Sequence, residues 1–186
     1  MNLVELYDGI DASTQPMVEG QPWWPCANCP VLGQPENCCN YAMFLVTRTE
    51  WDYLREHPFV QQNLKTLRKE ARRALHRLRS AGHDLSDWGA VCKAFGNDDN
   101  PIPFRCPLLG SDGLCSVYDR RPSICRAYGM THYDDGESMY ACQVVTQAID
   151  EHGGAKALPL TPILETLASF AQGPTMPIVA WLAEET

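Results

Sequence analysis

Hydrophobic residues recur at steps of three and four positions between residues 60 and 78, which is the spacing of one face of an α-helix. The positions on this face are Val60, Leu64, Leu67, Ala71, Leu75 and Leu78. Gly82 follows them and is the expected C-cap, because glycine readily adopts the left-handed conformation common at helix ends. The pattern therefore predicts a long helix over residues 60–81.

A shorter helix is predicted directly before the long one. Thr49 precedes Glu50 and Asp52, and a threonine followed by acidic residues in the first turn is typical of a helix start. Pro58 is expected to follow the end of this helix. The apolar run Tyr41–Val46 lies further upstream and is compatible with a strand or a helix, because it is too short for periodicity to decide.

The two ends of the chain have different patterns. Residues 1–25 include three prolines in their last ten positions and are predicted to be rich in loops. Near the other end, Thr161 is expected to cap a helix that Pro162 opens and that runs to Phe170. Residues 178–182 predict a short last helix.

Turn residues between two apolar segments predict a β-hairpin. Residues 104–109 and 114–118 flank the tetrapeptide Gly-Ser-Asp-Gly, and Asp-Gly is a strong turn signal. If all four residues form the loop, Cys115 lies opposite Leu108, and Cys106 lies diagonally from it on the same side. A shift of one residue in the pairing would change this arrangement.

A short helix is predicted after the hairpin, with Pro122 in its first turn. Cys125 then lies near the helix N-terminus, where the helix dipole favours a thiolate. The neighbouring Arg120, Arg121 and Arg126 are expected to act in the same direction.

These elements predict a mostly helical α+β fold, in which a small hairpin and irregular cysteine-rich segments pack with helices around a metal centre. The length of 186 residues is typical of one domain, here 1–186. Within it we expect a metal-binding core at 26–142 and C-terminal helices at 158–186.

The N-terminal sequence lacks the basic and apolar regions of a secretory signal, and no run of 18 apolar residues is present. The chain is therefore expected to be cytoplasmic and not to enter a membrane. Cytosolic thiols are kept reduced, so cysteine patterns there indicate metal binding or catalysis more often than disulfides.

Charge is distributed unevenly along the chain. Residues 65–79 carry seven basic residues and one acidic residue, a net charge of +6, which leaves −14 for the remainder of a chain whose total is −8. The basic residues are Lys65, Arg68, Lys69, Arg72, Arg73, Arg77 and Arg79. This surface is either a solvated helix face or a docking site for an unknown protein partner. Nucleic acid is not expected as the partner, because aromatic residues do not alternate with the basic ones.

Eight of the nine cysteines fall into two clusters. The first cluster is Cys26, Cys29, Cys38 and Cys39, and the second is Cys106, Cys115, Cys125 and Cys142. The odd total and the adjacent pair Cys38 and Cys39 fit a disulfide framework poorly. We therefore expect all eight to be metal ligands, and we expect Cys92, which stands apart, to be a buried thiol.

The spacing of the cysteines bears on the identity of the metal. One C-x2-C pair is present at Cys26 and Cys29, and the other cysteines come at irregular intervals. Structural zinc commonly uses two such pairs, whereas irregular all-cysteine ligation is more typical of an iron–sulfur cluster. One [4Fe–4S] cluster with spare cysteines, two zinc sites of four thiolates each and a mixed arrangement all remain open, as does the choice of ligand between Cys38 and Cys39.

Three segments resemble a known family. The sequences Cys-Pro-Leu-Leu at 106–109, Gly-Leu-Cys-Ser-Val-Tyr at 113–118 and Arg-Pro-Ser-Ile-Cys-Arg at 121–126 are similar to those of the YkgJ-type cysteine-cluster proteins. The upstream C-x2-C-x2-C-C element of that family is similar to the first cluster, although the second gap here is eight residues long. The resemblance covers roughly 26–142 and implies chelation of zinc or iron.

Three functions follow as hypotheses. The first is an iron–sulfur protein used in electron transfer, sensing or protein modification. The second is a structural-zinc adaptor that docks a partner through helix 60–81. The third is an enzyme with an open metal position, in which His132, Asp134 or Glu137 serves as an acid or base.

Overall fold

Helices dominate the fold, which a computed structural model describes for residues 1–18, 39, 43–95, 104–127, 131–132, 139–140 and 158–185. Seven α-helices and five short strands occur in these residues, which confirms the mostly helical α+β class. The helices are α1 (Leu3–Val18), α2 (Arg48–Arg55), α3 (Pro58–Ser80), α4 (Trp88–Phe95), α5 (Ser123–Ala127), α6 (Leu160–Phe170) and α7 (Ile178–Glu184). The strands are β1 (Leu45–Thr47), β2 (Thr131–His132), β3 (Met139–Tyr140), β4 (Leu158–Pro159) and β5 (Thr175–Pro177).

The chain divides into two units, each made of two stretches of sequence. Unit 1 comprises residues 1–29 and 121–172, and unit 2 comprises residues 30–120 and 173–186. Each unit has buried hydrophobic residues of its own. Within the described residues, none of the helices combines the length and the apolar character needed to cross a membrane.

The core of unit 2 forms where α3 packs against α7. The buried side of α3 consists of Val60, Leu67, Ala71, Leu75 and Leu78, and Leu64 is half-buried. These side chains meet Val179, Ala180, Trp181 and Leu182 of α7 in one cluster. Burying each large side chain of this kind contributes about 1.5–3 kcal/mol. The helical periodicity predicted from the sequence is therefore confirmed.

Gly82 ends α3 as predicted, but it lies one position beyond the C-cap. Gly82 has φ +91°, and the C-cap itself is the preceding residue, Ala81. The amide of Gly82 donates to the carbonyl of Arg79, and the amide of His83 donates to the carbonyl of Leu78. This pair of bonds is the Schellman arrangement, which needs a residue with positive φ.

The prediction that Thr49 caps α2 is wrong by two positions. Thr47 is the N-cap, and its hydroxyl accepts a hydrogen bond from the amide of Glu50 while the Glu50 carboxylate accepts one from the amide of Thr47. Thr47 also ends β1, which pairs antiparallel with β5. The helix therefore begins where the strand stops, and the reciprocal bonds favour this start over Thr49.

Unit 1 combines α1, α5 and α6 with a three-stranded sheet in the order β3–β2–β4. Strand β2 pairs antiparallel with β3 and parallel with β4. Helix α1 buries Leu3, Leu6, Tyr7 and Ile10, and α6 buries Leu160 and Leu167.

Two predictions about unit 1 are wrong. The expectation that residues 1–25 are rich in loops does not hold for residues 3–18, which form α1. Its only proline, Pro16, lies in the last turn, and the buried positions before it have helical spacing. Helix α6 begins at Leu160 with Pro159 as its N-cap, so Thr161 lies inside the helix.

Candidate metal centre

The hairpin that carries Cys115 exists, but its register differs from the prediction by one residue. Cys115 pairs with Leu109 in an antiparallel bridge, not with Leu108. The amide of Gly110 donates to the carbonyl of Leu114 at 2.8 Å, and Gly113 has φ +80°. The loop is therefore a three-residue turn that ends in a left-handed glycine, and such turns shift the pairing relative to a four-residue loop.

Cys106 lies at the start of a turn that leads into this hairpin. The amide of Leu109 donates to the carbonyl of Cys106 at 3.1 Å, and Pro107 occupies the second turn position, which proline favours. Cys106 and Cys115 are both half-buried and pack against the hydrophobic core of unit 2, where Leu108 and Val117 are buried. The surrounding apolar side chains limit the access of water to both sulfurs.

A backbone hydrogen bond connects the first cysteine cluster to the second. The amide of Cys106 donates to the carbonyl of Cys39 at 2.8 Å. Cys39 is itself half-buried and belongs to the same unit. The two residues belong to different clusters that are widely separated in the sequence, yet their backbones are in direct contact.

Cys125 lies in α5 of unit 1, where it is the central residue of a five-residue helix. The adjacent Arg126 is buried; its guanidinium forms an ion pair with Asp11, donates to the carbonyl of Arg121 and lies over the ring of Tyr7. These contacts tie α5 to α1.

Two of the arginines expected to favour a thiolate at Cys125 have other partners. Arg126 is bound to Asp11, as described above, and Arg120 in unit 2 donates to the carbonyl of Tyr53 and lies over its ring. Sequence reasoning missed the role of Asp11, because a contact between residues so far apart leaves no local signal.

Cys92 is the cysteine that the sequence predicts to be a buried thiol outside the metal site. It is half-buried on α4 and packs against the core of unit 2. Burial raises the pKa of its thiol to about 11, so it stays protonated near neutral pH. A metal ligand must be a thiolate, and burial makes this form of Cys92 less accessible near neutral pH.

The structure describes half of the predicted ligands. Cys39, Cys106, Cys115 and Cys125 are thiols, and the first three belong to unit 2. Cys26, Cys29, Cys38 and Cys142 lie outside the described residues, as do Asp134, Glu137 and the side chain of His132. Among the described side chains, no three of histidine, cysteine, aspartate or glutamate lie together as a group that could hold a metal ion.

The donors that are described suit a soft metal. They are half-buried thiols, and two of them border an apolar core. Thiolates select zinc and iron–sulfur centres over hard cations such as magnesium or calcium. These donors are of the type that a protein binding a soft metal through cysteines would use.

Comparison with family models gives a more specific assignment. Residues 25–143 match the CxxCxxCC family, which is described as "Putative zinc- or iron-chelating domain". The match covers more than half of the chain and includes all eight clustered cysteines, so the chain belongs to this family. Comparisons with curated proteins and with solved structures found no match. The family assignment supports metal binding by zinc or iron.

Proposed function

We propose that the clustered cysteines hold an iron–sulfur cluster, [4Fe–4S] in type, and that its four thiolate ligands come from these eight residues. The observation that carries this proposal is the 2.8 Å hydrogen bond from the amide of Cys106 to the carbonyl of Cys39. It joins the backbones of two segments that each contain several cysteines, as a shared metal centre requires. The proposed uses are electron transfer, sensing or protein-modification chemistry.

Iron–sulfur ligation is favoured over zinc by the spacing and the surroundings of the thiols. A single C-x2-C pair followed by irregularly spaced cysteines is unusual for structural zinc. Cys106 and Cys115 border buried aliphatic side chains, and exclusion of solvent tunes the reduction potential of an iron–sulfur cluster.

A structural-zinc adaptor is the alternative function. The exposed basic residues of α3 favour it, because they offer a charged surface through which a zinc-stabilised protein could dock a partner. In that case the metal stabilises the fold and takes no part in electron transfer.

Metal analysis of protein purified without oxygen separates the two functions. An iron–sulfur protein is expected to be brown, to contain iron and acid-labile sulfide, and to lose its visible absorption on reduction. A colourless protein with stoichiometric zinc and no sulfide would refute the iron–sulfur proposal and support the alternative.

Ligand assignment is tested by two serine substitutions with opposite expectations. Cys115→Ser is expected to lower metal content and stability, because serine is a poor ligand for soft metals. Cys92→Ser is a matched control, since Cys92 is also half-buried against the core of unit 2. Equal metal loss in the two variants, measured as metal per protein chain, would refute this division of the cysteines.

A further inference from the structure

One side of α3 is a continuous basic surface, and it is the side opposite the buried one. Its members are Lys65, Arg68, Lys69, Arg72, Arg73, His76 and Arg77, which are exposed apart from the half-exposed Arg68. All seven residues lie on this one helix, between its second and last turns. We refer to them as the basic face.

The cations of the basic face are not neutralised within the described part of the chain. Arg72 donates to the backbone carbonyl of Ala183. Among the residues that the structure describes, Lys65, Lys69, Arg73 and Arg77 have no ion-pair partner. Within the described residues, therefore, ion pairs with acidic residues of the same chain do not neutralise these four side chains.

The same four cations are spaced four residues apart, so they form one row along the helix. Like charges at this spacing repel and destabilise a helix. The row extends over about 18 Å at the helical rise of 1.5 Å per residue. A row that opposes helix stability and has no ion-pair partner among the described residues favours an anion from outside the chain.

We propose that the basic face binds an acidic segment of a partner protein, with carboxylates repeating at a spacing that matches this row. Guanidinium groups bind carboxylates through two parallel hydrogen bonds, and five of the seven basic residues between 65 and 79 are arginines. The proposal does not depend on which metal the cysteines hold.

Other anionic partners fit this surface less well. Residues 60–81 contain no Phe, Tyr or Trp on which bases could stack. The remainder of the chain carries −14, which repels a long polyanion beyond the helix. Membrane-surface helices insert an apolar side, whereas the apolar side of α3 is buried against α7.

The test measures fluorescence anisotropy of a labelled helical peptide with glutamate at every fourth position, titrated with the metal-loaded full-length protein. A peptide with glutamine in place of glutamate is the ligand control. We expect binding of the acidic peptide only, weakened by added salt. No binding, or equal binding of the two peptides, would overturn the proposal.

Variants then locate the binding surface. Lys69→Gln with Arg73→Gln is expected to weaken binding by about tenfold, since each exposed ion pair contributes a factor of a few. The double variant Lys65→Gln with Arg77→Gln removes the other two charges of the same row and tests the location independently. Ala12→Glu with Ala168→Glu lowers the net charge equally from exposed positions on α1 and α6 and is expected to leave the dissociation constant within about twofold. Equal weakening by the control pair would show that net charge alone is responsible and would overturn the assignment.

The class of partner is tested under the same conditions. A labelled oligothymidylate and vesicles containing anionic phospholipid are titrated in parallel. Tighter binding of either one than of the acidic peptide would overturn the choice of an acidic protein segment.

Discussion

Arg126 provides a quantitative test of how the helix bearing Cys125 is held in place. Its side chain is 6% exposed, and its contacts include an ion pair with Asp11, a 2.8 Å hydrogen bond from Nε to the carbonyl of Arg121, and a position 4.4 Å from the ring centre of Tyr7. The substitution Arg126→Met removes the guanidinium and keeps an apolar side chain of similar length.

The expected loss follows from these contacts taken one at a time. A hydrogen bond from a charged donor contributes about 1.5–3 kcal/mol, and a desolvated cation over an aromatic ring contributes about 2 kcal/mol. The carboxyl partner, Asp11, is 47% exposed, so the ion pair adds at most about 1 kcal/mol. Because neighbouring contacts are not additive, we expect a decrease of about 3 kcal/mol in the free energy of unfolding of unit 1.

Urea denaturation followed by circular dichroism measures this change, with Arg48→Met as the control. Arg48 also forms an ion pair and a contact with an aromatic ring, but its guanidinium is exposed to solvent. The control is therefore expected to lose much less stability. If the two variants unfold at the same urea concentration, the reasoning from burial is refuted.

Two further predictions concern the hairpin and the lone cysteine. Gly113→Ala places an alanine at φ +80°, which destabilises the protein by about 1–2 kcal/mol. The variant is expected to lower the metal content, because Cys115 is two residues away. The control Gly82→Ala introduces similar strain away from the cysteines and is expected to retain the metal. Equal metal content in the two glycine variants, measured by elemental analysis, would contradict this expectation. Cys92 is expected to react with iodoacetamide about 100-fold more slowly at pH 8 than a peptide thiol, because burial raises its pKa from 9.0 to about 11, and its rate should rise with pH toward 11. Mass spectrometry of the native protein gives this rate, and labelling as fast as in urea would show that the thiol is not shielded.

The sequence was most informative where one repeated pattern determines the structure. Helix α3 could be predicted because its apolar spacing and Gly82 act in the same direction. The start of α2 was missed because two threonines compete as caps, and the choice depends on the pairing of β1 with β5. The start of α6 was missed because a side-chain cap was expected and Pro159 provides none.

The candidate metal centre also has features that the sequence could predict and features that it could not. The hairpin around Cys115 could be predicted from its turn residues, but the register could not, because three- and four-residue loops are both compatible with Gly-Ser-Asp-Gly. The contact between Cys39 and Cys106 depends on the path of the intervening chain. Spacing alone contains no information about such a path.

The place of α7 in unit 2 has a consequence for the order of events during synthesis. Leu182 is 0% exposed and Trp181 is 3% exposed, and both belong to the cluster against which Cys106 and Cys115 pack. A ribosome delivers these two cysteines well before the residues that complete their surroundings. Maturation of a centre that uses them is therefore expected to follow the synthesis of α7 rather than to accompany that of the hairpin.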